Sequence, residues 1–177
     1  FESGSIFNCF FEKCKVFLGL VYCFQGNNFV VENSTFSDCL GTKSSSISSM
    51  NCDIKIKNSN FLKNKNPFPN GVAIFISCNV FIENCKFVHF QSSASPVLRI
   101  INPSNLTFSN IVASKYQVFC VLYNAQIPIY ILNCVFEKSF SDAFYISDFE
   151  KNVIFDHANF SKISMNFERA LSPTWLK

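Results

Sequence analysis

Short alternations of apolar and polar residues recur along the chain, and all but the last of them end at an asparagine. The segment "IKIKNSNF", residues 54–61, shows the unit: Ile54 and Ile56, then Asn58, a small residue, and Phe61. An alternation of period two is typical of a strand with one buried face. The same unit returns about every 25 residues, so the chain is built from a repeat.

The repeat places an asparagine at the end of the first strand in nearly every unit. Its members are Asn8, Asn33, Asn58, Asn84, Asn110, Asn133 and, in the last unit, His157. Asparagine tolerates the left-handed backbone conformation that a sharp corner requires. Stacked at one strand spacing, these side chains can hydrogen-bond along the stack. The column therefore predicts a corner in every unit and an asparagine ladder along the molecule.

Three positions after the corner an anchor residue, phenylalanine in six of the seven units, marks a second short strand. These anchors are Phe11, Phe36, Phe61, Phe87, Ala113, Phe136 and Phe160. A third apolar stretch completes each unit, as in "GVAIFIS" and "PVLRIIN". Three strands in each of seven units predict an all-β parallel β-helix of about seven coils, with residues 1–177 as one segment of a longer chain. Leucine-rich repeats have a similar period, but leucine is scarce here and the alternation continues on both sides of the asparagine.

The pattern I-x-I-x-N-x-x-F, visible in "IKIKNSNF", "FIENCKF" and "YILNCVF", resembles right-handed parallel β-helix proteins of the pectin-lyase-like superfamily. With "FIEN" and "GVAI", the chain is most similar in style to polymorphic outer-membrane-protein-like and protist surface proteins. The resemblance implies a right-handed solenoid. It leaves function open, because lyases, hydrolases, adhesins and structural spacers share this fold.

Enzymes with this resemblance carry carboxylates and a basic residue on the outward face of one sheet. Counting back from each asparagine, the outward positions of the third strand contain Arg99 as their single arginine and Asp148 as their single carboxylate. No carboxylate pair or set of metal ligands emerges, and His89 and His157 lack ligand spacing. The sequence predicts no catalytic, cofactor or metal site. The alternative is a polysaccharide lyase or glycoside hydrolase whose catalytic coils lie outside this segment.

The same count predicts an apolar stripe on the outside of the third sheet. Its members are Tyr22, Phe24, Phe75, Ile101, Leu122 and Ile146, with Arg99 among them. A large contiguous apolar patch in a soluble protein usually marks an interface. We therefore expect protein partners, either further coils of the same chain or another subunit, with a glycan as a further possibility.

Two pairs of cysteines occupy equivalent positions on successive coils. Cys14 and Cys39 each follow their asparagine by six positions, and Cys52 and Cys78 each precede theirs by six. One strand spacing lies within the Cα separation of a disulfide. The sequence leaves disulfides and stacked free thiols as equal alternatives for both pairs.

The composition limits which classes of binding partner and which cellular locations are expected. The 15 basic and 12 acidic residues are scattered in ones and twos, and nucleic acid is therefore an unexpected partner. No apolar run reaches the roughly 18 residues of a membrane helix. Sequons at Asn105 and Asn159 predict glycosylation if the chain is secreted, whereas Asn33 belongs to the corner column and is expected to be inaccessible. The leading hypothesis is a non-catalytic structural or adhesion-type protein, extracellular or on a cell surface, without cofactors.

Overall fold

The computed structural model describes residues 3–67, 70–90, 95–139, 143–147 and 153–162. These residues form a parallel β-solenoid of about six turns, and the described part of the chain contains no helix. Within each sheet, neighbouring strands come from successive coils and pair in parallel. The predicted all-β parallel solenoid is therefore confirmed. The third strand of a seventh coil, predicted at "RALSPTW", lies outside the described residues.

Three long sheets run along the solenoid. The strands of the first sheet are Gly4–Phe7, Phe29–Glu32, Asp53–Lys57, Asn79–Glu83, Asn105–Ser109, Ile129–Leu132 and Val153–Asp156. Those of the second are Phe10–Glu12, Thr35–Ser37, Asn60–Leu62, Lys86–Val88, Val112–Ser114, Val135–Glu137 and Asn159–Ser161. Those of the third are Val21–Phe24, Ile47–Met50, Ala73–Ile76, Leu98–Ile101, Cys120–Tyr123 and Phe144–Ser147. A short fourth pair joins Lys15–Val16 to Leu40–Gly41.

The pairing register of the first two sheets matches the predicted columns. Ile56 pairs with Val31 on one side and with Ile82 on the other, and all three are buried. In the second sheet Phe61 lies between Phe36 and Phe87. Their rings stack with centroids 5.0 and 4.8 Å apart, about one strand spacing. The repeat therefore builds a continuous apolar core from equivalent residues.

Ala113 leaves a gap in this column of rings. A residue from the segment that leads into a strand of the third sheet fills the gap. Phe119 is fully buried, and its ring centroid lies 5.4 Å from Phe87 and 5.1 Å from Phe136. These are the two anchors on either side of Ala113. The small alanine thus makes room for a ring that reaches the column from six positions later in the chain.

Each coil turns at three corners occupied by residues with positive φ. The first corner is the predicted column, in which φ ranges from 49° at Asn58 to 54° at Asn8 and His157 has a φ of 51°. The second corner is formed by Gln25, Asn51, Ser77, Asn102 and Asn124. The third is formed by Lys13, Asp38, Lys63, His89, Lys115, Lys138 and Lys162. Only the first corner was predicted from the sequence.

Side-chain amides link part of the first corner into a ladder. Asn84 donates to Asn58 at 3.2 Å, and Asn110 donates to Asn84 at 2.9 Å. Asn124 donates to Asn102 at 2.8 Å, which makes a second, shorter ladder at the second corner. These amides are exposed to solvent. The ladder is confirmed over three rungs, and it lies on the outside of the solenoid.

Candidate interaction face on the third sheet

The predicted exposed stripe is wrong for half of its members. Phe75, Leu122 and Ile146 share the inward column of the third sheet, and their exposed fractions are 0, 1 and 4%. The connection from the second corner to the next asparagine varies, from seven positions after Ser77 to nine after Asn124. Because side chains alternate between faces, a fixed count back from the asparagine changes face whenever this length changes by one.

The true outward residues of the third sheet form two columns. One column contains Tyr22, Ser48, Ile74, Arg99, Val121 and Tyr145. The other contains Phe24, Met50, Ile76, Ile101, Tyr123 and Ser147. We call these twelve residues the third-sheet face. The predicted members Tyr22, Phe24, Arg99 and Ile101 belong to it.

The third-sheet face is rich in aromatic and aliphatic side chains. Tyr22 is 51%, Phe24 is 47% and Tyr145 is 37% exposed, and the aliphatic residues between them are partly exposed or close to buried. Nine of the twelve positions are apolar or aromatic, and the other three are Ser48, Arg99 and Ser147. The columns therefore present an almost uncharged surface along the solenoid.

Arg99 is the single charged residue of the third-sheet face. Its guanidinium carbon lies 5.4 Å from the centre of the Tyr123 ring, within the range of a cation–π contact. Its Nη1 also donates to Oδ1 of Asn70 at 3.4 Å. Tyr123 in turn contacts Tyr145 edge-to-face, with centroids 6.4 Å apart. The positive charge is thus positioned over an aromatic ring near the middle of the face.

The outward side of the first sheet has a different character. Glu32, Lys57 and Glu83 are paired on three adjacent strands, and Lys57 Nζ lies 3.2 Å from a carboxylate oxygen of Glu83. Lys55 lies two positions before Lys57 on the middle strand. Opposite charges are interspersed there, as on an ordinary solvated surface. The first sheet also exposes Phe7, Tyr130 and Ile154, so it is the near absence of charge that distinguishes the third-sheet face from its neighbour.

The described part of the third-sheet face contains no carboxylate. Hydrolysis of a glycosidic bond by the usual mechanism uses two carboxyl groups flanking the bond. Asp148, the one carboxylate that the sequence suggested for this sheet, lies outside the described residues. Among the described residues, no three His, Cys, Asp or Glu side chains group together in a way that could hold a metal ion.

All nine cysteines are free thiols, and most of them are buried in the core. Neither the Cys14–Cys39 pair nor the Cys52–Cys78 pair is bridged. The short sulfur contact is a different one: Sγ of Cys23 lies 2.6 Å from Sγ of Cys52. Cys52 also accepts a hydrogen bond from the backbone N–H of Gly26, and Cys78 contacts Ser49 at 3.5 Å. The interior of the solenoid therefore orients Cys52 toward Cys23.

Burial raises the pKa of six of the nine thiols. Desolvation, reinforced by the contact with Cys52, raises the pKa of Cys23 to about 12. Desolvation also raises the pKa of Cys85 to about 12 and raises the pKa of Cys39, Cys78, Cys120 and Cys134. Because the thiolate is the reactive form, such cysteines serve as packing residues and not as nucleophiles.

Both predicted glycosylation positions are exposed, and they lie away from the third-sheet face. Asn105 begins a strand of the first sheet, and Asn159 begins a strand of the second. Asn33 is exposed at its corner too, contrary to the expectation that the corner would bury it. Within the described residues, no helix is long and apolar enough to cross a membrane.

Comparison with known proteins leaves the family undetermined. No protein-family model matches the sequence, and no curated protein matches it significantly. Among solved structures, the chain is similar to QnrB1, a plasmid-mediated fluoroquinolone resistance protein, at 13% identity. The match covers 89% of this chain and 91% of that one, with a TM-score of 0.20. A superposition this poor carries no argument about function.

Proposed function

We propose that this chain is a non-catalytic structural or adhesion-type solenoid that acts by protein–protein packing through the third-sheet face. The composition of that face supports the proposal. Tyrosine, phenylalanine, methionine and arginine are enriched in protein interfaces, whereas lysine and the acidic residues are depleted there. The third-sheet face contains the first four types and lacks the others in its described part.

The chemistry of the face specifies its partner. The partner is a protein with a flat apolar surface that carries one carboxylate, because Arg99 is the only charge that the face offers. Arg99 is already oriented by Tyr123 and Asn70, so little conformational freedom is lost when it pairs with that carboxylate. Tyr22, Phe24 and Tyr145 supply large, rather rigid contact surfaces around it.

The position of the sequons agrees with an extracellular or cell-surface location, which is part of the same proposal. Glycans on Asn105 and Asn159 would cover the first and second sheets and leave the third-sheet face open. Membership of the pectin-lyase-like superfamily and kinship with protist surface proteins remain proposals that rest on the asparagine and phenylalanine pattern.

Site-directed photo-crosslinking tests the proposed interface. A photoreactive residue placed at Ile101 should give a defined protein adduct in the source cells, whereas the same residue at Thr107 on the first sheet should not. The partner identified from the adduct is then purified. Its affinity should fall roughly tenfold or more for Arg99→Glu, as expected for loss of an oriented charged hydrogen bond, and should hardly change for Lys55→Glu. Equal adducts at both positions, or equal losses of affinity, would refute the proposal.

An activity assay addresses the enzymatic alternative. The full-length protein is incubated with polygalacturonate and related glycans, with and without calcium. We expect no cleavage above a heat-inactivated control. Robust cleavage would show that catalytic coils exist in the complete chain and would overturn the non-catalytic interpretation.

A further inference from the structure

The third corner of the solenoid gathers basic residues that are far apart in sequence. Lys63, Lys115, Lys138 and Lys162 occupy this corner on the third, fifth, sixth and seventh coils, His89 occupies it on the fourth, and all are five positions after the first-corner residue. Lys13 occupies the corner of the first coil. We call these six residues the lysine ridge.

The backbone conformation makes this choice of residue unexpected. Left-handed φ values near 55° suit asparagine, and the first corner uses asparagine in six of its seven positions. Lysine gains nothing from this conformation, yet the third corner uses it in five of seven positions. Since both corners belong to the same coils and have the same φ, the conformation does not explain the lysines.

The ridge concentrates positive charge on one edge of the molecule. Its five lysines are exposed, and Lys15 and Lys65, two positions beyond the corner, are exposed beside them. These seven lysines and the nearby Glu12, Asp38 and Glu137 carry a net charge of 7 − 3 = +4, whereas the whole chain carries +3. The remainder of the chain is thus close to neutral.

Little of this charge is neutralised within the molecule. Lys13 and Lys138 approach Glu12 and Glu137 only at 3.8 Å, and these pairs are largely exposed. Exposed ion pairs of this kind contribute little to the free energy of folding. Among the described residues, no carboxylate lies within salt-bridge distance of Lys63, Lys115 or Lys162.

A shallow depression lies along the ridge and is a candidate binding site for one anionic group. Its volume is about 230 Å³, and it is lined by Asp38, Lys63, Lys65 and His89. Two lysines and a histidine surround it, and Oδ2 of Asp38 already accepts a hydrogen bond from Ser37 at 3.1 Å. A sulfate-sized group fits the size and the predominant charge of this depression.

We propose that the lysine ridge binds a sulfated polysaccharide chain. Lys115, Lys138 and Lys162 stand on successive coils and are separated by one strand spacing, roughly 4.8 Å. Asp38 occupies the corner between Lys13 and Lys63, and His89 occupies it between Lys63 and Lys115. One pyranose unit advances an extended polysaccharide by a similar distance, so anionic groups on successive sugars meet Lys115, Lys138 and Lys162. The depression between Lys63 and His89 holds one sulfate, and the exposed lysines hold the others as solvated ion pairs.

The surroundings of the ridge favour a polysaccharide over a single-stranded nucleic acid. Nucleic-acid grooves of this kind combine cations with aromatic side chains on which the bases stack. The outward residues of the second sheet that border the ridge are Glu12, Ser37, Leu62, Val88, Ser114, Glu137 and Ser161. None of them is aromatic, so bases would have no stacking surface along this border.

Binding of fluorescent heparin to the 177-residue chain at low salt tests the proposal. Lys63→Asn/Lys115→Asn should weaken binding roughly fivefold or more, from the loss of two exposed ion pairs. The control Lys55→Gln/Lys86→Gln removes the same charge from the first and second sheets and should bind almost as well as the unchanged chain. Binding should also weaken steeply as salt is raised.

The Lys63→Asn/Lys115→Asn variant should fold normally, because asparagine readily adopts the left-handed conformation of the corner. We call it the ridge variant. Its unfolding midpoint should equal or exceed that of the unchanged chain, so a loss of binding cannot be ascribed to misfolding. Equal losses in the ridge and control variants, or no binding at all, would refute the ridge as a site. Tighter binding of single-stranded DNA of matched charge would show that the ligand is nucleic acid. The third-sheet face is intact in both variants, so these outcomes do not depend on the proposed protein interface.

Discussion

At the scale of single residues, the corners show what an exposed asparagine contributes. The amide of Asn58 is solvent-exposed, so its bonds to Asn84 and Glu32 compete with water. Water can substitute for these hydrogen bonds, but it does not supply the left-handed backbone conformation, with a φ of 49°, that Asn58 adopts. The conformation of the backbone, more than the ladder of amides, therefore explains why asparagine stands at this corner.

Substitution of Asn58 separates the two contributions. We expect Asn58→Leu to lower the free energy of unfolding by about 1 to 2 kcal/mol, because leucine is strained in the left-handed region. Asn58→Gly removes the same amide without that strain and should lower it by less. Urea denaturation of both variants provides the measurement. If glycine is as damaging as leucine, the amide ladder and not the backbone carries the stability.

The cysteines provide a second prediction at this scale. An S–S bond is about 2.05 Å long, so a small rotation joins the sulfurs of Cys23 and Cys52, which lie 2.6 Å apart. When the protein refolds from urea in the presence of oxidised glutathione, while the thiols are still accessible, the two thiols should lose two hydrogens and convert one oxidised glutathione into two molecules of reduced glutathione. Non-reducing peptide mapping should find Cys23 linked to Cys52. The bridge should be absent in Cys52→Ser and present in Cys78→Ser, and a Cys52–Cys78 bridge would contradict this geometry.

At the scale of the structural element, the second sheet depends on a ring from outside its own strands. Phe119 occupies the space beside Ala113 and contacts the anchors Phe87 and Phe136. It also meets Phe108 and Phe144, with centroids 5.9 and 5.8 Å away. One side chain thus connects the anchor column to the first and third sheets.

Removal of the Phe119 ring should destabilise the folded protein more than most single substitutions do. We expect Phe119→Ala to lower the free energy of unfolding by about 3 to 5 kcal/mol, because it leaves a cavity between buried rings. Phe10→Ala, at a position that is 66% exposed, is the matched control and should change it by less than about 0.5 kcal/mol. Adding Ala113→Phe to Phe119→Ala should restore part of the loss. No recovery in this double variant would show that the anchor column does not accept a ring on this coil.

At the scale of the whole molecule, the buried thiols make stability depend on pH. An unfolded cysteine ionises near its ordinary pKa of 9, whereas burial raises the pKa of Cys85 to about 12. Below pH 9 both states hold the proton, and this thiol gives no pH dependence. Between about pH 9 and 12 only the unfolded state releases the proton, so stability falls as pH rises.

Alkaline denaturation therefore gives a clear test. The free energy of unfolding should be nearly constant from pH 7 to 8.5 and then fall by up to about 1.4 kcal/mol per pH unit for each fully buried thiol. Cys85→Ala should reduce the slope by one such contribution in urea titrations at pH 10 to 11. An unchanged slope would indicate that Cys85 ionises in the folded protein.

The repeat pattern alone is enough to predict the first two sheets and the corner between them. From four positions before the corner residue to the anchor three positions after it the spacing is constant, so one alignment of the seven units assigns the inward side chains correctly. The same alignment contained the third corner, because Lys63, Lys115 and Lys138 all stand five positions after their asparagine. The pattern could have been found in the sequence by following that column.

The outward and buried residues of the third sheet can be assigned only from the folded structure. The connection that follows this sheet varies by one or two residues from coil to coil, and a change of one exchanges the two faces of a strand. Phe75 and Leu122 were therefore assigned to the surface, although they are core residues. The position of Phe119 beside Ala113 and the approach of Cys23 to Cys52 also depend on packing between sheets. A repeat specifies which positions are equivalent along the axis, and the fold decides which side chains meet across the core.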